Sequence, residues 1–478
     1  MNTKKKLLLL FEKWAGETAN TISKLPQSGS YREYYRITGS TKTAIGVYNT
    51  DNKENKAFLS FSNHFNKYKL NVPDILAEDI ANNVYLENDL GDETLFGFLS
   101  SKRKGTEFPD SAKILYKNVL EELPKFQITA SEGLDYSVCY PRAKFDKQSM
   151  MWDLNYFKYY FLKLAKIPFD EQLIENDFEK FTTFLLETET DYFMYRDFQS
   201  RNIMIVNKTP YFIDYQGGRK GALQYDLASL LFDAKANIPF SVKRELLNYY
   251  FETLHKLIDY DEVDFLKYFW GYVLIRILQA MGAYGFRGFY EKKEHFLQSI
   301  PPALENLEWL LNNIKFDVDL PELFSVLKQL VKSDELKKFG HQSATEKLTV
   351  QITSFSYKHG IPEDYSGNGG GFVFDCRAIH NPGRYDEYKA LTGKDDKVKE
   401  FLLSKSNISN FLKNVFALVE NSIEVYTKRK FTHLSVNFGC TGGQHRSVFC
   451  AEALAEYLQK NENIEIELHH CEQEKLQK

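Results

Sequence analysis

The residues best equipped for chemistry are Tyr195-Arg196-Asp197-Phe198-Gln199-Ser200-Arg201-Asn202, followed eleven residues later by Ile213-Asp214-Tyr215. An Asp, an Asn five positions on, and a second Asp closing an apolar run form a minimal set for moving a phosphoryl group from a metal-bound nucleotide. Asp197 is placed to take the proton of an attacking hydroxyl, and Asn202 and Asp214 offer hard oxygen ligands to magnesium. Asp226 opens the next helix and is placed to brace this loop from behind, with Arg196 as a second support. Asp and Asn are also ordinary cap and turn formers, so any one of them alone would carry little weight. Four at these spacings, with apolar runs at 203–206 and 211–213 between them, point to ATP-dependent phosphoryl transfer.

Such a loop needs two lobes to position it. Short β-type runs at 34–38, 43–48 and 84–87, separated by Gly, Asn and Asp turns, predict a small sheet-rich lobe over about 1–90. From Asp110 the pattern turns helical: Tyr156, Phe157, Tyr160, Phe161 and Leu164 recur at helical spacing, as do Phe265, Phe269, Val273, Ile277 and Ala280. A helical lobe over about 91–332 follows, then a linker at 333–346 with little apolar periodicity. From 347 to 478 the texture changes. Strand runs at 348–355 and 371–375, a Gly-rich loop at 367–371, a helix at 411–425, and a final strand, loop and helix predict a separate domain. The expected fold class is therefore α/β and α+β in two domains, a bilobal protein-kinase-like fold followed by a smaller α/β phosphate-binding domain. No internal repeat relates the two.

A length of 478 residues suits two or three domains, and 43% hydrophobic with 15% aromatic residues is ample for buried cores. A net charge of −4 gives no global reason to expect nucleic acid or an anionic membrane as partner. The start, Lys4-Lys5-Lys6 and then an apolar run from 7 to 11, is too short for a signal core or a membrane span, and reads as an amphipathic helix with Leu7, Leu10, Phe11 and Trp14 on one face. Five cysteines, odd in number and without close pairs in sequence, fit free thiols and a cytoplasmic setting.

At the catalytic-type loop the chain resembles the aminoglycoside-phosphotransferase-like kinases, and within them the AmgK-type kinases of N-acetylmuramic acid and N-acetylglucosamine. The resemblance covers roughly residues 5–330. It extends through Ser28-Gly29-Ser30-Tyr31-Arg32-Glu33-Tyr34-Tyr35-Arg36, through Glu87-Asn88-Asp89-Leu90-Gly91-Asp92 at the expected hinge, and through 276–282 and 299–301. It implies phosphorylation of an amino sugar at the anomeric hydroxyl in cell-wall recycling, with ATP and Mg2+ as cofactors and with Ser30, Arg32, Arg36 and Glu87 on the ATP side. Two departures stand out. Tyr195 replaces the usual His, at a position that supports the loop. The strand at 43–49 should deliver the lysine that pairs with nucleotide phosphates, yet it holds none, so Arg32 or Arg36 is expected to supply that charge. For the acceptor sugar the polar residues Asp153, Arg276 and Gln279 are the candidates. The acceptor region 151–162 holds one carboxylate, Asp153, too few for a polycationic drug.

A second phosphate-type loop lies at Gly439-Cys440-Thr441-Gly442-Gly443-Gln444-His445-Arg446-Ser447, between a strand at 434–438 and a helix at 448–458. A Gly-rich turn at a helix start gathers backbone N–H groups where the helix dipole favours an anion, and Arg446 and Thr441 add a guanidinium and a hydroxyl. Cys440, then five residues, then Arg446 and Ser447 also fit a cysteine-phosphatase loop, with Asp386 as the acid that could serve it. The same run resembles the RapZ C-terminal domain, as do 354–362, 373–377, Asn381-Pro382 and 391–395, over about 347–472. This implies sensing of glucosamine-6-phosphate, with Thr441, Gly442, Gly443, His445, Arg446, Arg377 and Asn381 as ligand-binding candidates. RNA, which the best-known members also bind, is not favoured: residues 347–478 hold 17 Lys plus Arg against 17 Asp plus Glu, where a phosphate backbone calls for a basic face. His469-His470-Cys471 reads as a strand end. The expectation is an amino-sugar kinase joined to a domain that binds a phosphorylated amino sugar; a non-catalytic adapter and a C-terminal cysteine-dependent phosphatase are the alternatives.

Overall fold

The computed structural model describes residues 2–26, 32–105, 107–340, 347–362, 371–429 and 431–476. Ser30 with its loop and most of the Gly-rich stretch at 367–371 lie outside the described residues, as does 341–346 of the expected linker. The chain divides into two compact units: residues 1–285 with 299–337, and 286–298 with 338–478.

The first unit opens with α1 (Thr3–Ala15), capped by the Asn2 side chain on the Lys4 amide and ended by Gly16 at φ +73°, the left-handed turn that glycine adopts without strain. Leu7, Leu10 and Phe11 are buried among Tyr35, Ile37, Ala44, Val84 and Leu86 of a five-stranded sheet. Its strands are β1 (Thr21–Lys24), β2 (Glu33–Thr38), β3 (Thr43–Tyr48), β4 (Ile75–Asp79) and β5 (Val84–Glu87), antiparallel in the order β1-β2-β3-β5-β4. Between β3 and β4 runs α2 (Asn52–Lys67). Asp51 caps it by accepting from the Lys53 and Glu54 amides, and Phe58, Phe61 and Phe65 form its buried face.

A helical lobe follows, with α3 (Leu95–Lys102), α4 (Asp110–Gln127), α5 (Lys147–Phe157) and α6 (Glu171–Leu185). Two small antiparallel pairs interrupt it: β6 (Tyr192–Met194) with β9 (Arg219–Gly221), and β7 (Ile203–Val206) with β8 (Thr209–Phe212). Then come α7 (Leu223–Leu231), α8 (Phe240–Leu254) and α9 (Glu262–Tyr284), with further helices at Ile300–Asn313 and Pro321–Lys332. In α9, Phe265, Phe269, Val273 and Ile277 are buried at the expected helical spacing.

The repeat expected to continue from Tyr156 to Leu164 does not remain one α-helical face. After α5 the chain widens into a π turn at Lys158–Leu162; Phe157 and Phe161 stay buried, while Tyr160 and Leu164 emerge at the surface. The wider turn rotates later residues off the 3.6-residue face. In the expected linker, Asp334–Lys337 form a short helix with Leu336 buried.

The second unit is built on a parallel sheet of β10 (Leu348–Ser356), β11 (Gly371–Asp375), β12 (His433–Cys440) and β13 (Ile464–His470), in the order β11-β12-β10-β13. The central strands β10 and β12 are nearly continuously buried, as parallel strands between helical layers require. The helix Ile408–Lys428 contributes Leu412, Val415, Val419 and Ile423 to the core, and the helix Arg446–Leu458 contributes Cys450, Ala451, Leu454 and Leu458. The parallel arrangement brings the strand ends Ser356, Asp375, Cys440 and His470 to one edge, where open α/β sheets place ligands. Among the described residues, no helix is long and apolar enough to cross a membrane.

Candidate functional site

The loop between β6 and β7 is held from behind by one carboxylate. Asp226, fully buried in α7, accepts the Tyr195 amide at 2.7 Å and the Arg196 amide at 2.9 Å. Burial pushes Asp226 up to about 7, and the two amides pull against that rise. They also hold Arg196 at φ +81°, a left-handed conformation costing a non-glycine residue about 1–2 kcal/mol. The Tyr195 hydroxyl donates to the Ile213 carbonyl at 2.6 Å, tying the loop to the chain that delivers Asp214, itself at φ +69°.

These constraints bring Asp197, Asn202 and Asp214 together. Asn202 donates through Nδ2 to the Asp197 carbonyl at 2.9 Å and to Asp214 Oδ2 at 3.3 Å; Gln216 donates to Asp214 Oδ1 at 2.7 Å. Burial and the nearby Asp197 charge raise Asp214 above the usual carboxylate range, while Arg32 opposes them. Among the described residues, no group of three or more His, Cys, Asp or Glu could hold a metal ion. A lone Asp–Asn oxygen pair nevertheless suits magnesium, which is held by one or two protein oxygens when phosphates and waters complete its shell.

The structure separates the two arginines expected to replace the missing lysine. Arg32, almost fully buried, pairs with Glu54 of α2 at 3.3 Å and lies 5.8 Å from the Phe58 ring centre. Its charge acts on Asp214 and on Glu87, both toward the ionised form. Arg36 instead grips Asp89 at 2.6 Å and Asp92 at 2.8 Å, fastening the segment after β5. Two carboxylates thus engage the Arg36 fork, whereas Arg32 is the arginine whose charge reaches Asp214. Glu87 is buried at the end of β5, with Oε2 lacking a hydrogen-bond partner. Burial pushes it up to about 8.

On the acceptor side, Asp153 accepts from Arg196 at 2.7 Å, and its second oxygen is buried without a partner. Arg196 also donates to the Tyr225 hydroxyl at 2.8 Å and stacks 4.9 Å from the Phe145 ring centre, so Asp153 is linked to the catalytic-type loop through Arg196. Arg276 and Gln279 bond to each other on α9, and Arg276 Nε donates to Ser229 Oγ at 2.9 Å. Arg276 acts on the buried Tyr225, whose hydroxyl also accepts from Arg196.

Sequence reasoning missed Glu54, Gln216 and Arg219. Glu54 stands three residues after the Asp51 cap, a spacing that marks a helix start. Gln216 follows Asp214 by two. Arg219 is buried, donates to the Gly217 carbonyl at 3.0 Å and feels the charges of Arg196, Asp153 and Asp197, a placement that no local pattern announces.

In the second unit, Thr441 and Gly442 are exposed and Gly443 turns at φ +65°. The Gly443 amide donates to Cys440 Sγ at 3.2 Å, and Ser356 Oγ donates to the Thr441 carbonyl at 2.8 Å. Gln444 donates to the Leu391 carbonyl at 2.7 Å, and a His445 ring nitrogen lies 2.8 Å from the Tyr388 carbonyl. Arg446 Nη1 donates to the carbonyls of Arg377 and Ile379, both at 2.9 Å, while its Nε has no partner. Arg377 pairs with Asp375 at 2.7 Å and lies 4.1 Å from the Tyr357 ring centre. The Asn381 side chain caps its own turn at Gly383. Asp386 projects into solvent beside Lys389, so it is not drawn into the loop as an acid. Cys376 and Cys450, distant in sequence, are buried in the same core cluster.

The first unit thus joins an antiparallel five-stranded sheet, with one helix between its third and fourth strands, to a helical lobe bearing the Asp197 loop. It aligns with a spectinomycin phosphotransferase solved with ADP and spectinomycin at 12% identity, over 71% of this chain and 97% of that one, with a TM-score of 0.43. The corresponding values for a choline kinase of Streptococcus pneumoniae are 14%, 69%, 98% and 0.39. In the second unit, residues 348–474 match the family model of the RapZ C-terminal domain. A nucleotide-binding protein of Thermoanaerobacter sp. is 41% identical over 123 residues, 26% of this chain and 41% of that protein. One from Fervidobacterium nodosum is 36% identical over 170 residues, 35% and 58% of the two chains. The chain therefore spans about half the length of these curated relatives.

Proposed function

We propose that the first unit is an ATP- and magnesium-dependent kinase of an amino sugar of the N-acetylmuramic acid or N-acetylglucosamine type, acting at the anomeric hydroxyl in cell-wall recycling. The second unit binds a phosphorylated amino sugar such as glucosamine-6-phosphate. The observation that carries the kinase reading is the pair of hydrogen bonds donated by the Tyr195 and Arg196 amides to Asp226, with Asn202 bonded to both the Asp197 carbonyl and Asp214. Asp197 orients the acceptor hydroxyl and takes its proton as the oxygen attacks phosphorus. Asn202 and Asp214 would hold magnesium, which when bound neutralises charge on the phosphates. Arg32, kept charged beside Glu54, supplies the fixed cation that β3 lacks. Asp153, through its unpartnered oxygen, accepts a hydrogen bond from a second sugar hydroxyl.

Incubation with ATP, magnesium and a panel of amino sugars tests the reading. Phosphate on the anomeric oxygen of an N-acetylated amino sugar is expected; turnover of none of them would refute it. Because one chain joins the two units, a ligand of the second is at high effective concentration beside the first. Titrating glucosamine-6-phosphate into the same assay should change the rate, and an unchanged rate would remove regulation from the proposal.

A further inference from the structure

The loop at the end of β12 has features that binding alone does not call for. Cys440 Sγ accepts the Gly443 amide at 3.2 Å and lies 3.1 Å from Ser447 Oγ, a hydroxyl able to donate to a thiolate. It also stands before the first turn of a 13-residue helix, where negative charge is favoured. Burial pushes the Cys440 thiol up, but Ser447, Arg446 and the Gly443 amide outweigh it and leave the thiol below its ordinary range. Two other cysteines move the opposite way: burial raises Cys139 to about 11, and a hydrogen bond with Cys450 raises Cys376.

A second observation points to an anion. Arg446 is 5% exposed and anchored through Nη1 by two backbone carbonyls, yet its Nε is buried with no partner. An anionic oxygen is the natural complement of such an N–H, and although Arg103 and Arg201 also bury a Nε without a partner, only that of Arg446 belongs to the residue that ends this loop. Arg446 opens the helix that follows the loop, and its charge acts on both Cys440 and Asp375 toward their ionised forms.

We propose that this loop hydrolyses a phosphate monoester, with Cys440 as nucleophile and Arg446 holding the phosphoryl oxygens. The Cys440 thiolate attacks phosphorus, and an S–P bond forms as the P–O bond to the alcohol breaks. The departing oxygen keeps the electron pair and takes a proton from water. The hydroxide that this leaves then adds to phosphorus; the S–P bond breaks, its pair returns to sulfur under the Ser447 hydroxyl, and inorganic phosphate leaves. The net change consumes one water. The step rests on the reading that the loop binds a phosphate ester, and adds a covalent intermediate to it.

The test uses the full chain carrying Asp197→Asn, without ATP or magnesium, so that phosphate release cannot come from the kinase-type site. The probes are p-nitrophenyl phosphate and glucosamine-6-phosphate. Steady release is expected from at least one, falling about 10³-fold or more in Cys440→Ser. Acid quench with radiolabelled probe should leave label on the peptide bearing Cys440. Ser447→Ala, which keeps the nucleophile, should shift the rising limb of the pH–rate profile to higher pH. No release from a folded chain, or release unchanged in Cys440→Ser, would overturn the proposal. If inorganic phosphate and glucosamine-6-phosphate bind by calorimetry without turnover, hydrolysis falls and the binding reading stands; if neither binds, both fall.

Discussion

The loops around Asp197 and Cys440 are built from opposite materials. Around Asp197 the fold gathers side-chain charges and sets them against one another: Arg196 between Asp153 and the loop, Arg32 between Glu54 and Asp214, Asp226 under two amides. Around Cys440 the fold uses backbone amides, a helix start and a thiol, and its one buried arginine is anchored by carbonyls. Charges drawn from distant elements can be re-spaced only by moving those elements, so the first arrangement suits a reaction in which charge develops and moves. A cradle from one contiguous segment holds a phosphate group with fixed amides and leaves its one thiol to supply any chemistry.

The largest expected effect is at the first loop. Asp197→Asn should lower kcat by about 10³-fold while leaving ATP affinity and Tm nearly unchanged, because the residue is half-buried and its carboxylate is not among the braces. Equal activity in the variant would mean that the first unit is an adapter and that its charges only bind. Arg32→Ala should cost about 10²-fold in kcat/KM for ATP, with Arg36→Ala changing it only a few-fold, since Arg36 is spent on Asp89 and Asp92. A reversed ranking would place the phosphate-facing cation on β2 and undo the contrast between the loops.

How much of this was legible in the sequence follows the same division. The Asp197, Asn202 and Asp214 set and the Gly439–Ser447 run are contiguous or nearly so, and type and spacing expose such segments directly. Strands β2, β3, β5, β10, β11 and β12 were readable because their β-type runs are bounded by turn residues. Strands β1 and β4 were not: Thr21–Lys24 is mostly exposed and Ile75–Asp79 only half-buried, so neither shows an apolar signal. The Arg32–Glu54 pair, the meeting of Cys376 with Cys450 and the approach of Arg219 to Asp197 depend on elements far apart in the chain. The π turn after α5 escaped because it keeps the residue types of a helix and changes only the angle between them.

Asp226→Asn gives a smaller effect that tests whether the brace, and not the charge, holds the first loop. The amide side chain keeps one oxygen acceptor for two backbone N–H groups, leaving a buried donor unpaired at about 1–3 kcal/mol. Thermal melts should fall by a few degrees, with kcat reduced more than KM for ATP is raised. An unchanged Tm would show that Tyr195 and the strands hold the loop unaided.

The smallest effect separates the two units by the sign of their pH dependence. Burial pushes Glu87 up to about 8, with Arg32 pulling it down and Asp214 adding to the rise. The unfolded value is about 4.3, so the folded chain keeps a proton that the unfolded chain releases. The contribution of Glu87 to stability is therefore fully present below that unfolded value, declines as pH rises, and levels off above about 8. Glu87→Gln removes the titration: its Tm should match the parent near the low end of that window and exceed it by a few degrees at the high end. Cys440 runs the other way. Its thiol is lowered in the fold, so its contribution is present above the unfolded thiol value and is lost as pH falls through the folded one. Melts of Glu87→Gln and Cys440→Ser against the parent across pH should then diverge in opposite directions. A Glu87→Gln difference that shrinks with rising pH would mean that Glu87 is ionised against Arg32, and that the first loop holds one more buried ion pair than its neutral form implies.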